Sequence, residues 1–196
     1  MRISSVLRFA SLLLVLAVSA CASKPQRIND VCAVFAQNDG WISSWRQEAT
    51  TASRRHGIPL HVVMATIRME SGFDGRARPA RKMYLGFIPG PRASSAYGYS
   101  QALDGTWLQY QRETGRHGAR RSNFSDVADF VGWYHRKSVN TLGIASSDTQ
   151  SLYLAYYSGH AGYARGSWRS NRNIQAYARK TAAMANNYAR QMQRCR

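Results

Sequence analysis

The sequence predicts a mostly α fold in one domain, and three observations carry that reading. Apolar residues recur at spacings of three and four through most of the chain beyond residue 30. Capping residues and glycines punctuate those runs, and only residues 72–100, rich in Gly, Pro and Arg, break the pattern. That stretch holds one short apolar run, residues 83–88, ahead of Pro89-Gly90, so a small hairpin or a long structured loop is expected between the Glu70 helix and Gly98.

Residues 1–20 have the layout of an export signal: Arg2 and Arg8, an apolar stretch over 9–18, then Ser19 and Ala20 before Cys21. The stretch is too short to span a bilayer. Val18-Ser19-Ala20-Cys21 resembles a bacterial lipobox, which implies lipidation of Cys21 and a membrane anchor; plain signal cleavage is the alternative. Ser23, where a retention signal would carry aspartate, points to an outer-membrane lipoprotein facing the periplasm.

With Cys21 acylated, Cys32 and Cys195 remain as a pair in an oxidising compartment, either as a disulfide closing nearly the whole domain or as two inert thiols. The formal charge of +17 falls to about +15 without Arg2 and Arg8, and most of it is arginine. Such a surface seeks anionic partners. In a cytosolic protein nucleic acid would lead, but export shifts the expectation to cell-wall peptides, lipopolysaccharide or headgroups.

Residues 21–29 read as a polar tether with Pro25, and 30–196 as one folded domain, expected to be monomeric. A short helix is expected through Phe35, then a turn at Asn38-Asp39-Gly40, then a helix over 41–56 stopped by Gly57. Pro59 opens the next helix. Asp104 is placed to cap a helix through Thr114, and Ser125 one rich in Phe130, Trp133 and Tyr134. Ser147 with Gln150 makes a capping box for the run ending at Tyr156-Tyr157. Ile174, Tyr177, Thr181, Met184, Tyr188 and Met192 form an apolar stripe on a last helix.

Glu70 ends the apolar run 59–69, directly before Ser71-Gly72, in a chain with only two other glutamates. Val63, Ile67 and Glu70 fall at i, i+4 and i+7, so in a helix the carboxyl shares a face with two core-seeking side chains. Poor hydration and the negative end of the helix dipole both raise its pKa, the condition for a general acid near neutral pH. No second carboxylate carries a comparable signal: Asp74 reads as a solvated loop acid and Asp104 as a cap. No Cys/His cluster has metal-ligand spacing, and no cofactor is expected.

Three segments follow in order. Glu70-Ser71 is succeeded by Tyr97-Gly98-Tyr99-Ser100-Gln101 with Gly105-Thr106-Trp107, and then by Leu154-Ala155-Tyr156-Tyr157-Ser158-Gly159. Over roughly residues 60–166 this set resembles the lytic transglycosylases of the soluble-lytic-transglycosylase-like (SLT) domain family, relatives of goose-type lysozyme. Members carry Glu-Ser, then Gly-Leu-Met-Gln, then Ala-Tyr-Asn-Ala-Gly. The resemblance implies an α+β lysozyme-like fold, with the region before Gly98 walling one side of a saccharide groove.

The resemblance also implies the substrate, peptidoglycan glycan strands, and a division of labour. Glu70 would be sole acid and base, cutting the β-1,4 bond between N-acetylmuramic acid and N-acetylglucosamine and leaving a 1,6-anhydromuramyl end. It places Ser71 beside the reacting sugar, Gln101 on substrate or on the loop carrying it, and Gly98 where backbone nears the groove. Tyr156 would orient the carboxyl. Tyr99 and Tyr157 stand where the family has Leu and Asn, and an insert over 82–90 lengthens the interval from Glu70 to Gly98, so groove shape departs from the family pattern. Tyr84, Phe87, Tyr97, Tyr99 and Trp168 could stack on sugar faces. The rival readings are a lysozyme-type hydrolase on the same fold and a non-catalytic basic wall- or lipopolysaccharide-binding lipoprotein.

Overall fold

The computed structural model describes residues 24–37 and 44–195. Among them, eight helices surround one two-stranded antiparallel sheet. The order is α1 (Val31–Gln37), α2 (Trp45–His56), α3 (Leu60–Ser71), β1 (Arg81–Tyr84), β2 (Ile88–Arg92), α4 (Asp104–Thr114), α5 (Phe124–Leu142), α6 (Thr149–Ser158), α7 (His160–Ala164) and α8 (Arg172–Met192). The mostly α expectation with a small hairpin before Gly98 is what the fold shows. The export signal, Cys21 and the expected turn at Asn38-Asp39-Gly40 lie outside the described residues.

α3 is the central element because its middle is buried on every side: Val62, Val63, Met64, Ala65, Thr66 and Ile67 are all buried. It packs between α2, α5 and α8. Gly72 ends it in the left-handed conformation, φ +59°, returning its N–H to the Arg68 carbonyl. The chain therefore turns sharply just past Glu70, which leaves the last turn of the helix at the edge of the core.

A second centre is aromatic. Trp45 of α2 stacks on Phe124 of α5 with ring centroids 4.1 Å apart and planes within 6°. Tyr99 closes that cluster edge-on, 5.6 Å from Trp45 and 5.8 Å from Phe124. Asp129 of α5 anchors the other end. Its carboxylate, 5 % exposed, receives Arg55 at 2.6 Å and the Tyr110 hydroxyl at 2.8 Å, with His56 at 3.1 Å.

Several caps differ from expectation by a few residues. α2 begins at Trp45, capped by Ser44, rather than at residue 41. α5 is capped by Asn123, which accepts from Asp126 N–H, and not by Ser125. α6 is capped by Asp148, which accepts from Ser151 N–H, not by Ser147. Asp104 lies in the first turn of α4 and pairs with Arg121 at 2.6 Å instead of capping. In α8 the buried face runs Ile174, Ala178, Thr181, Ala185, Tyr188, while Tyr177 of the expected stripe is 51 % exposed. Polar neighbours compete for each cap, and the winner is set by where tertiary packing starts the helix.

Residues 24–29, expected as a tether, are docked on the domain. Pro25 is buried, Tyr188 donates to the Ile28 carbonyl, and Arg68 donates to Asn29 Oδ1 at 2.6 Å. Gln191 holds the following turn, accepting from Val31 N–H at 2.8 Å and donating to the Asn29 carbonyl. Cys32 and Cys195 form a disulfide beside these contacts, fastening both ends of the domain together.

Candidate active site

α3 delivers Glu70 to a cavity of about 510 Å³ whose other walls come from four segments. Ser94 and Ala96 follow the hairpin, Gln101 to Leu103 and Thr106 open α4, and Tyr156 to Gly159 close α6. Phe130 and Tyr134 of α5 complete the lining. Glu70 is the only acid among these residues, and no Lys, Arg or His is among them.

The carboxyl is held under conditions that oppose its ionisation. Its Oε1 is out of contact with water and has no hydrogen-bond partner. The hydroxyl of Tyr153 faces the carboxyl and favours its charged form. Burial pushes Glu70 up from 4.5 to about 7, and the Tyr153 hydroxyl offsets only part of that rise. Burial first, and the neighbouring Glu70 charge second, push the Tyr153 and Tyr156 hydroxyls well above the usual phenol range, so both stay protonated.

One turn back on α3, Thr66 donates to the Val62 carbonyl, so its oxygen accepts from His135 Nε2 at 2.9 Å. That fixes the tautomer and leaves Nδ1 buried without a partner. Burial keeps His135 neutral, lowering its pKa to about 3. No cation therefore comes from this side to favour a Glu70 carboxylate.

The family-motif residues divide into two groups. Glu70, Gln101, Tyr156 and Tyr157 meet at the cavity. Tyr156 lines it, but its hydroxyl donates to the Ser100 carbonyl at 2.7 Å, clamping the loop opposite rather than the carboxyl. Gln101 is likewise a loop clamp: in a left-handed conformation, φ +49°, its amide donates to the carbonyls of Ala77 and Gly98. Tyr157 is 59 % exposed at the rim.

Ser71, Gly98 and Tyr99 do not line the cavity. Ser71 Oγ bonds back to the Ile67 carbonyl. Gly98, at φ +73°, sits where an added Cβ would lie 2.0 Å from the Arg121 carbonyl oxygen, so its close approach is to another loop. Tyr99, 5 % exposed, belongs to the Trp45–Phe124 core cluster and is a correction to the substrate-binding expectation. Trp168 packs on Tyr163, Tyr97 lies beneath Arg78, and Tyr84 and Phe87 stand out on the hairpin. Asp74 accepts from Arg76 N–H in its loop.

Tyr153 was not singled out by the sequence. Its only signal is the i, i+3 spacing that puts it on the same face as Tyr156. Ser158 is a second omission: it lines the cavity, and its Oγ is buried without a partner.

A helical domain with a small hairpin and a lone uncharged-leaning acid at its cleft is the lysozyme-like class. The chain belongs to the Transglycosylase SLT domain family, which it matches over residues 9–195. Membership makes it a lytic transglycosylase-type protein acting on peptidoglycan in the cell envelope. Comparison with curated proteins gives no match. Among the described residues no helix is long and apolar enough to cross a membrane, and no cluster of His, Cys, Asp and Glu could hold a metal.

Proposed function

We propose that Glu70 alone performs both proton transfers of a lytic transglycosylase that cleaves the β-1,4 bond from N-acetylmuramic acid to N-acetylglucosamine. The observation that carries this is a half-buried carboxyl with one oxygen out of contact with water, pushed up to about 7, in a cavity lined by no second acid and no cation. Hydrolysis by two carboxylates needs a partner at about 5–10 Å. Among the lining residues there is none.

The protonated Glu70 gives its proton to the bridging oxygen as the bond from the anomeric carbon breaks. The substrate's N-acetyl group shares the positive charge left on that carbon. The 6-hydroxyl of the same sugar then attacks, its proton passes to the Glu70 carboxylate, and the acid is restored with a 1,6-anhydro product. Tyr153 holds the carboxyl in place during both steps. Tyr156 and Gln101 fix the 98–101 loop across the cavity, and Ser158 Oγ is available to a polar group of the sugar. Tyr157 offers an exposed ring at the rim.

The same reading places the protein on the periplasmic face of the outer membrane, held by lipid on Cys21. Mass spectrometry of digested sacculi tests the chemistry: anhydromuramyl ends are expected, and reducing muramic ends without them would assign the cavity to hydrolysis.

A further inference from the structure

The β1–β2 hairpin carries an apolar tip that none of the described residues covers. Met83, Tyr84, Leu85, Phe87 and Ile88 are 52, 54, 82, 72 and 45 % exposed. Isolated exposed apolar side chains are ordinary, but five on one turn are not. A lone two-stranded hairpin also has little stability of its own in water, so a sequence selected only to fold would not load its tip this way.

The turn itself argues the same point. Leu85 and Gly86 both have positive φ, +50° and +80°, and Phe87 N–H bonds the Tyr84 carbonyl across them. Such positions favour Asn-Gly or Asp-Gly; leucine there is strained as well as water-exposed. Both costs fall on a side chain that makes no core contact.

Charge names the partner. Between Asp74 and Asp104 the chain has Arg76, Arg78, Arg81, Lys82 and Arg92 and no acidic residue. The Arg81 and Arg92 guanidiniums donate to the carbonyls of Gly90 and Pro79, which leaves their charges uncompensated, and Lys82 is exposed. Among the described residues no carboxylate pairs with any of these three. An apolar tip that reaches past acyl boundaries while a cationic base meets headgroups is the layout of an interfacial membrane contact.

We propose that this hairpin inserts its Leu85-Gly86-Phe87 tip into an anionic phospholipid surface, giving the domain a membrane contact separate from any lipid on Cys21. Residues 94 and 96 of the cavity wall follow β2 directly, so seating the hairpin would also set how the cleft faces the membrane.

The test uses the full chain with Cys21→Ser and Leu85→Cys, so that a nitroxide sits at position 85 alone. On phosphatidylglycerol vesicles the label should gain accessibility to oxygen and lose it to a water-soluble nickel complex; on phosphatidylcholine vesicles it should stay in water. Lys82→Gln should weaken insertion about fivefold at low salt. Leu85→Asn without the label should keep the fold and lower the affinity for anionic vesicles about tenfold. A label that remains in water on both lipids overturns the proposal. So does protection without vesicles as protein concentration rises, which would mean a second copy, or protection by glycan strands. None of these readouts depends on bond cleavage, so this proposal and the Glu70 mechanism fail separately.

Discussion

The hydroxyl of Tyr153 on α6 faces the carboxyl of Glu70 on α3, setting the one acid of the cavity beside a helix that also supplies part of its wall. That contact slightly favours the charged form of the carboxyl, against the stronger effect of burial.

Tyr153→Phe should therefore do two things. Loss of orientation should lower kcat/KM about tenfold. Loss of the hydroxyl leaves burial less opposed, so the Glu70 pKa rises and the alkaline limb of the pH–rate profile moves to higher pH. A purely structural tyrosine would lower the rate without moving that limb, so a pH–rate profile separates the two.

Glu70 also leaves a mark on stability. Its folded pKa, about 7, exceeds the ordinary 4.5, so the folded state binds the proton more tightly and the domain loses stability as pH rises from 4.5 through 7. Above pH 7 the cost reaches about 3 kcal/mol. Glu70→Gln should be more stable than the parent by up to that amount at pH 8 and nearly equal at pH 4. Urea unfolding at both values measures it, and equal stability at pH 8 would mean the carboxyl is well solvated.

Most of the fold was legible, and the placement of Glu70 at a helix end with it, because both are local. The α3 run, its Gly72 stop and the Gly/Pro/Arg break after it are written within residues 59–100, and they place Glu70 at a helix end beside a hairpin. What the sequence concealed depends on distant partners. Tyr99 sits in a core motif position only because Trp45 and Phe124 close around it. Tyr153 looks like any apolar-run aromatic until the fold brings its hydroxyl beside Glu70. The docking of residues 24–29 depends on Tyr188 and Gln191 at the far end of the chain, which no local polarity pattern reports.

Asp129 behaves oppositely to Glu70. Burial resists its charge, but hydrogen bonds from His56 and Tyr110 and the nearby Arg116 prevail and hold it at about 2. Its contribution is thus full above pH 4 and is lost as pH falls through 2. Asp129→Asn strips the partners of their counter-charge and should destabilise the domain by about 3 kcal/mol at pH 7. Thermal unfolding at pH 7 and pH 2 should show the difference at the first and not at the second.

Release of soluble muropeptides from purified sacculi by Glu70→Gln, beside the parent, tests the central claim most directly. The substitution keeps size and hydrogen bonding and removes only the transferable proton. A fall of about a thousandfold, with folded structure intact, is predicted. Release at the parent's rate would contradict the assignment of Glu70 as the acid.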